Sequence, residues 1–320
     1  WVTTSAQARD MLAKNDDIDM VICMYNVGDK DVFTFASELK QESRHIPFVL
    51  LTHFSKEIYR RIALQDTSAV DYMFSWHGNA DLIVAIIKLF EDLKNAENDI
   101  IDKGVQAILL VEDSVRFYST YLPELYKLIL KQSSEFLKET LNEQQRKFRK
   151  RSRPKILLAT NLDDALQMYT RYRNNLLGVI SDVGFTVHKG DSADMEKLDA
   201  GIDLVKHIKA DNEKMPILLQ SSQDSISAVA KELGVGFLRK YSKTLMLQLS
   251  DFIKEEFGFG DFVFRDANHV EYGRAANLKE LEAIIREVPD EVLLYVTSKN
   301  MLSKWFMARG LFTLGERFRT

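Results

Sequence analysis

From Val105 onward, short aliphatic runs alternate with stretches of amphipathic helical periodicity. Ala107-Ile-Leu-Leu-Val111, Lys155-Ile-Leu-Leu-Ala159, Leu176-Leu-Gly-Val-Ile180, Pro216-Ile-Leu-Leu219 and Val235-Gly-Phe-Leu238 read as strands. Runs this continuously apolar suit strands covered on both faces. The spacing between them predicts helices over Leu162–Arg173, Gly201–Lys209, Ser225–Leu233 and Thr244–Phe257. Five such alternations predict a doubly wound parallel sheet with right-handed crossovers.

Two segments exceed what a crossover needs. Residues 114–153 carry a nearly unbroken helical pattern, with Leu125, Leu128, Ile129, Phe136, Leu137 and Leu141 as its apolar stripe and Pro123 placed in a first turn. Tyr118, Tyr121, Leu122, Leu125 and Tyr126 read as helix-packing residues. Arg146 to Lys155 holds seven basic residues in ten. A solvated helix end accounts for that run better than an anionic partner does. Thr186 to Ala200 is polar and reads as a loop on the carboxyl edge of the sheet.

The first hundred residues repeat part of the plan. Asp19-Met-Val-Ile-Cys23, Pro47-Phe-Val-Leu-Leu51 and Val70-Asp-Tyr-Met-Phe74 match the last three strands, and Trp1 to Thr4 reads as the second. Helices fit Ala6–Ala13, Val32–Glu42, Ser55–Gln65 and Asp81–Lys94. A first strand and its helix are missing from the pattern. Because that strand lies inside a 2-1-3-4-5 sheet, about 40 further residues upstream, or another segment, are expected to fill its place. From Asp261 the alternation of strand and helix gives way to another pattern. Phe262-Val-Phe264 and Val270-Glu-Tyr272 predict a hairpin, and Asn277-Leu-Lys-Glu280 a capping box opening a helix to Glu287. Helical pattern then runs from Pro289 through Phe306 and stops at Arg309-Gly310. The fold class expected is α/β, with flavodoxin-like doubly wound domains at residues 1–100 and 101–258, the first lacking its first strand. A small α+β appendix follows at residues 259–320.

Composition narrows the function. Of 320 residues, 46% are hydrophobic and 28% charged, the profile of a globular chain rather than a disordered one. The longest apolar run, Leu82 to Ile87, is far below the roughly 18 residues that span a bilayer. A net charge of −4, from 43 basic and 47 acidic residues, favours neither nucleic acid nor an anionic membrane. The single cysteine, Cys23, forms no internal disulfide and fits a reducing cytoplasm. The histidines, among them His53, His188 and His207, lack the spacing of a zinc site.

Ligands of open α/β sheets bind outside the carboxyl ends of the strands. Those ends carry Glu112 and Asp113, then Asp182, Ser221 and Ser222, and Lys240. Three carboxylates at one crevice do not all stay ionised without a cation, and hard oxygen donors with few protein contacts suit Mg²⁺. A lysine neutralises phosphoryl oxygens, a hydroxyl donates to them, and an aspartate serves as nucleophile.

The motifs Ile108-Leu-Leu-Val-Glu-Asp113, Val179-Ile-Ser-Asp182, Leu218-Leu-Gln-Ser221 and Gly236-Phe-Leu-Arg-Lys240 resemble the receiver domain of two-component response regulators. The resemblance implies that Asp182 accepts the phosphoryl group. Asp113, Asp182 and the carbonyl of Gly184 would then hold Mg²⁺ with help from Glu112, and Ser221, Phe237 and Lys240 would respond. It also implies a histidine kinase or small phosphodonor as partner. The 69-residue separation of Asp113 and Asp182, lengthened by the insertions, departs from the pattern. In the first domain Met24 stands at the phosphoacceptor position, Thr52 matches Ser221, and Ser75 or Trp76 takes the place of the lysine, so that domain reads as a degenerate scaffold. The whole chain resembles the N-terminal regulatory region of phosphoenolpyruvate synthase-like proteins of the pyruvate phosphate dikinase superfamily. Asn142-Glu-Gln-Gln145, Pro154 to Thr160, Asn175 to Asp182 and Glu256 to Phe264 carry that likeness. A regulatory fragment without catalysis of its own is expected, dimeric and coupled to downstream catalytic domains or a partner. The rival expectation is an unphosphorylated dimerisation scaffold.

Overall fold

The computed structural model describes residues 1–42, 46–53, 55–62, 64–76, 78–138, 152–191 and 193–320. The chain divides into two compact units, Trp1–Ile83 with Ser114–Thr120, and Val84–Asp113 with Tyr121–Thr320.

In the first unit α1 (Ser5–Lys14) precedes β1 (Val21–Met24), a short antiparallel ribbon of β2 (Asn26–Val27) and β3 (Lys30–Asp31), and α2 (Val32–Gln41). β4 (Phe48–Thr52), α3 (Lys56–Ile62) and β5 (Tyr72–Ser75) follow. The strands pair in parallel in the order β1-β4-β5. Asp31 starts α2 by accepting from the Thr34 amide at 2.8 Å. The helix then buries Phe33, Phe35 and Leu39 against Phe48 and Leu50. Trp1–Thr4, expected as a strand, is irregular instead. Its polar residues serve α1: Thr4 accepts from the Gln7 amide at 3.2 Å, and Asp29 binds the Ser5 amide at 2.7 Å. Among the described residues no strand pairs with the other edge of β1.

The second unit is built on α4 (Ala80–Ala96, from Val84 on) and a π-helical turn over Glu97–Asp102. Its parallel strands are β6 (Ala107–Val111), β7 (Lys155–Ala159), β8 (Leu176–Asp182), β9 (Ile217–Ser221) and β10 (Gly236–Arg239). Between them run α5 (Val115–Lys138), α6 (Leu162–Tyr172), α7 (Ala200–Asp211) and α8 (Ile226–Glu232), with α9 (Leu245–Glu256) last. The spatial order β10-β9-β8-β6-β7 is the 2-1-3-4-5 arrangement read backwards. Every residue of β6, β7 and β9 is buried, as continuous aliphatic runs require. Gly178 on β8 is dictated by packing, since a Cβ there would lie 2.0 Å from the Phe257 ring.

The appendix opens with the expected antiparallel hairpin, β11 (Phe262–Arg265) and β12 (Glu271–Ala275). α10 (Leu278–Ile285) is capped by Asn277, which accepts from the Glu280 amide at 3.0 Å, while Glu280 reaches back past the cap to the Ala276 amide at 2.8 Å, a variant of the expected capping box. The helical pattern after Pro289 is not continuous. Asn300 adopts a left-handed conformation at φ 56° and separates α11 (Asp290–Ser298) from α12 (Met301–Ala308). Gly310, at φ +70°, ends α12 before α13 (Phe312–Arg317). The Arg309 guanidinium lies 3.6 Å from the Trp305 ring centroid and donates to the carbonyls of Gly258 and Gly260, each at 2.9 Å. No helix among the described residues is long and apolar enough to cross a membrane.

Two further expectations need correction. Pro123 lies well inside α5, which starts at Val115, so burial of Tyr118, Tyr121 and Leu122 outweighs the roughly 3 kcal/mol cost of an internal proline. Much of the basic run and the Asn142–Gln145 motif lie outside the described residues, but Arg153 and Lys155 are no solvated helix end. Both are buried. Arg153 grips the fully buried carboxylate of Asp92 on α4, and Lys155 lies 2.7 Å from Asp99. Asp92 also accepts from the Tyr126 hydroxyl at 2.9 Å and the Ile156 amide at 3.0 Å, so one carboxylate joins α4, α5 and β7. Removing half of a buried ion pair leaves an uncompensated charge, whereas removing both halves does not. Asp92→Ala is expected to lower unfolding free energy by about 3–5 kcal/mol in urea titrations, and Asp92→Leu with Arg153→Met to recover much of it.

Candidate functional site

Parallel pairing carries the ends of β6, β8, β9 and β10 to one edge of the sheet. Asp182 lies in register with Gln220, and Ser221 with Arg239. The Lys240 amide then donates to the Ser221 carbonyl at 2.8 Å, which aims the lysine across the strand ends. Its Nζ sits 2.9 Å from Oε2 and 3.1 Å from Oε1 of Glu112 and donates to Oδ2 of Asp182. The other Asp182 oxygen, Oδ1, accepts from the Val183 amide at 2.7 Å. Glu112 and Lys240 are buried, and the Asp182 side chain keeps 13% of its surface exposed.

Oxygens of Glu112, Asp113 and Asp182 lie within 4.8 Å of one another. Burial, then the charge on Asp182, raises Glu112 well above the usual carboxylate range, although Lys240 opposes this. Burial, followed by Asp182 and Glu196, pushes Asp113 up to about 7. Burial alone would depress Lys240, but Glu112 and Asp182 more than offset it and hold the amine above its ordinary value. One ammonium therefore faces three carboxylates. The donors are hard, anionic and grouped on one opening, which fits a hydrated Mg²⁺.

The remaining sequence candidates are placed less uniformly. Ser221 is buried at the same edge, but its hydroxyl accepts from the Gln223 amide at 3.1 Å. Phe237 is half-buried against the apolar core. Gly184 lies in the loop after β8. A Cβ there would fall 2.3 Å from Oε1 of Glu196. Asp199 occupies the cap position at the start of α7, and Gly201 is required because a Cβ would meet the Asp182 carbonyl at 2.1 Å.

Sequence reasoning misses three neighbours. Glu196 belongs to the segment that reads as a polar loop, and the antiparallel bridge between Phe185 and Lys197 folds that loop back over the end of β8. Tyr121 is a packing residue by periodicity and is fully buried, yet burial and the charges on Glu112 and Asp182 raise its phenol strongly. Gln220 is buried with no hydrogen-bond partner for either amide atom among the described residues. None of the three has a spacing signal, because each reaches the edge through a loop closure or a helix face.

The first unit repeats the backbone without the chemistry. Met24 is in register with Leu51, as Asp182 is with Gln220, and the Trp76 amide donates to the Thr52 carbonyl at 2.9 Å. That bond is the counterpart of the one from Lys240 to Ser221, so Trp76 rather than Ser75 takes the lysine position.

No family model and no curated protein matches the chain. Among solved structures, the chain is similar to a response regulator receiver domain protein from Clostridium thermocellum. The match has 20% identity, covers 47% of this chain and 91% of that one, and has a TM-score of 0.31. It is also similar to two further structures, each of a two-component system response regulator/GGDEF domain protein. These have 16% and 15% identity, cover 79% of this chain and 85% of theirs, and have TM-scores of 0.32 and 0.31. The strand order of the second unit is that of a flavodoxin-like doubly wound domain.

The folded carboxyl of Asp113 lies near 7 against an ordinary value of 3.8. The native state therefore holds a proton that the unfolded chain has lost between those values, and stability falls as pH rises through that window. A divalent cation must displace the same proton. Mg²⁺ affinity is expected to rise with pH while Asp113 and the likewise raised Glu112 lose their protons, by up to tenfold per pH unit for each proton displaced. Calorimetric titration from acid to neutral pH checks this, with Asp113→Asn flattening the slope.

Proposed function

We propose that the second unit is a phosphorylation-responsive receiver in which Asp182 accepts a phosphoryl group. The observation that carries this reading is the charge imbalance at the strand ends, three carboxylates against the single ammonium of Lys240. Glu112, Asp113, Asp182 and the carbonyl of Gly184 would hold Mg²⁺. Bound there, the ion would neutralise the carboxylates and the oxygens of an incoming phosphoryl group.

The protein's own residues do the positioning. Lys240 holds one Asp182 oxygen, and the Val183 amide holds the other, so the carboxylate is fixed before a donor arrives. In transfer, an Asp182 oxygen bonds to phosphorus as the bond from phosphorus to the donor breaks, and the donor leaves with that electron pair. With acetyl phosphate the leaving group is acetate. The Lys240 ammonium then faces a phosphoryl oxygen, and the Ser221 hydroxyl turns from the Gln223 amide toward another. An added charge of about −1.5 to −2 shifts the balance between two arrangements of the loops after β8 and β9, with Phe237 following Ser221.

In this reading the phosphodonor is a histidine kinase or a small acyl phosphate, and the chain regulates rather than catalyses. The first unit is a scaffold, because Met24 offers neither a nucleophile nor a hard ligand and Trp76 offers no cation. The likeness of the motifs at Pro154–Thr160 and Asn175–Asp182 is the ground for extending the reading to coupling with downstream domains of phosphoenolpyruvate synthase-like type, and a homodimer belongs to the same proposal. Incubation with acetyl phosphate and Mg²⁺, followed by intact-mass measurement, is expected to add one phosphoryl group to the wild type and none to Asp182→Asn. A wild type that stays unmodified at every donor concentration would overturn the proposal.

A further inference from the structure

A second cluster of charge, opposite in sign, lies at the other end of the same strands. There the starts of β8 and β9, at Leu176 and Pro216, face Asn300, Ser303 and Lys304 across a cavity of about 50 Å³. Lys214, Lys304 and Arg319 line it. Arg319 has a carboxylate partner, Glu316 at 3.2 Å; among the described residues none reaches ion-pairing distance of Lys214 or Lys304. The Lys304 amine donates to the Lys214 carbonyl at 3.2 Å, and Lys214 reaches the carbonyl and hydroxyl of Thr320 at 3.3 and 2.8 Å.

The surroundings sharpen the imbalance. Burial, with Lys209 and Lys214 adding repulsion, pushes Lys304 down to about 8 despite the opposing charge of Glu256. Burial also lowers Lys209, Lys299 repels it, and Glu213 and Glu256 oppose the shift. Two ammonium groups with no carboxylate in contact, and only the more distant charges of Glu213 and Glu256 to oppose their repulsion, are costly unless something negative joins them. The Asn174, Asn212 and Asn300 side chains in the same lining are amides, which add hydrogen-bonding capacity but no charge. The volume limits what can enter. It exceeds the roughly 10–15 Å³ that one water needs and is far below the roughly 300–1,000 Å³ of a drug-sized pocket.

We propose that this cavity is an oxyanion site, sized for one phosphate group and held by Lys214, Lys304 and Arg319. The site is separate from the acidic crevice: β8 begins at the cavity with Leu176 and ends at Asp182. At about 3.3 Å per residue the two lie roughly 20 Å apart. Free phosphate and a phosphoryl group on a small ester share this chemistry.

Thermal unfolding of the full chain without Mg²⁺ tests the proposal, comparing inorganic phosphate and methyl phosphate with chloride at matched ionic strength. A saturable rise in Tm with phosphate is expected, unchanged in Asp182→Asn. Lys304→Met and Lys214→Met should each weaken it by roughly tenfold or more, the effect of losing one charged hydrogen bond. Lys304→Met keeps the length of the side chain and removes a poorly solvated charge, so its melting point in chloride shows directly that it folds. A response to inorganic phosphate alone assigns free phosphate as the ligand, and an equal response to methyl phosphate assigns a monoester; both support the site. No rise beyond that in chloride, or equal rises in the wild type and both lysine variants, would overturn it.

Discussion

The ammonium of Lys240, pressed between Glu112 and Asp182, organises the carboxyl edge of the second unit. It reaches them from the end of β10, held by a backbone bond to Ser221 that follows from the parallel register of β9 and β10. Burial first, and then the charges on Asp182 and Glu196, push the third carboxyl, Asp113, up to about 7, and Lys240 offsets them only in part. A site left with surplus negative charge at its opening is poised for a divalent cation. A fully neutral cluster would be quieter and more stable.

The two units separate scaffold from chemistry. Met24 and Trp76 occupy the backbone positions of Asp182 and Lys240, with the same registers and the same closing hydrogen bond. Parallel pairing therefore delivers whatever side chain the sequence places at a strand end, and chemistry depends on that residue alone. The opposite ends of the second unit's strands show the same economy with the sign reversed, gathering lysines where β8 and β9 begin beside the appendix.

Most of the fold was legible because its strands are short aliphatic runs bounded by turn residues. β6 and β7 fall on the residues expected from periodicity, and the capping box at Asn277 was visible as a spacing. The failures have physical causes. Trp1–Thr4 has the look of a strand because it is short and partly apolar, but Thr4 and Ser5 are committed to a helix start. Pro123 suggests a boundary, and tertiary burial overrides it. Arg153 and Lys155 look solvated in the sequence because their partners, Asp92 and Asp99, are distant in the chain. At the candidate site the strand-end residues could be named from the sequence, whereas Glu196 and Tyr121 arrive through tertiary closure and carry no local signal.

The chemistry proposed for this edge requires Glu112, Asp113 and Asp182 to share one cation beside Lys240. Anomalous scattering from crystals of the whole chain equilibrated with Mn²⁺ tests it most directly. The account predicts a single strong peak among those three carboxylates, absent from crystals of Asp113→Asn. Manganese bound elsewhere on the chain, with that crevice empty at saturating concentration, would contradict it.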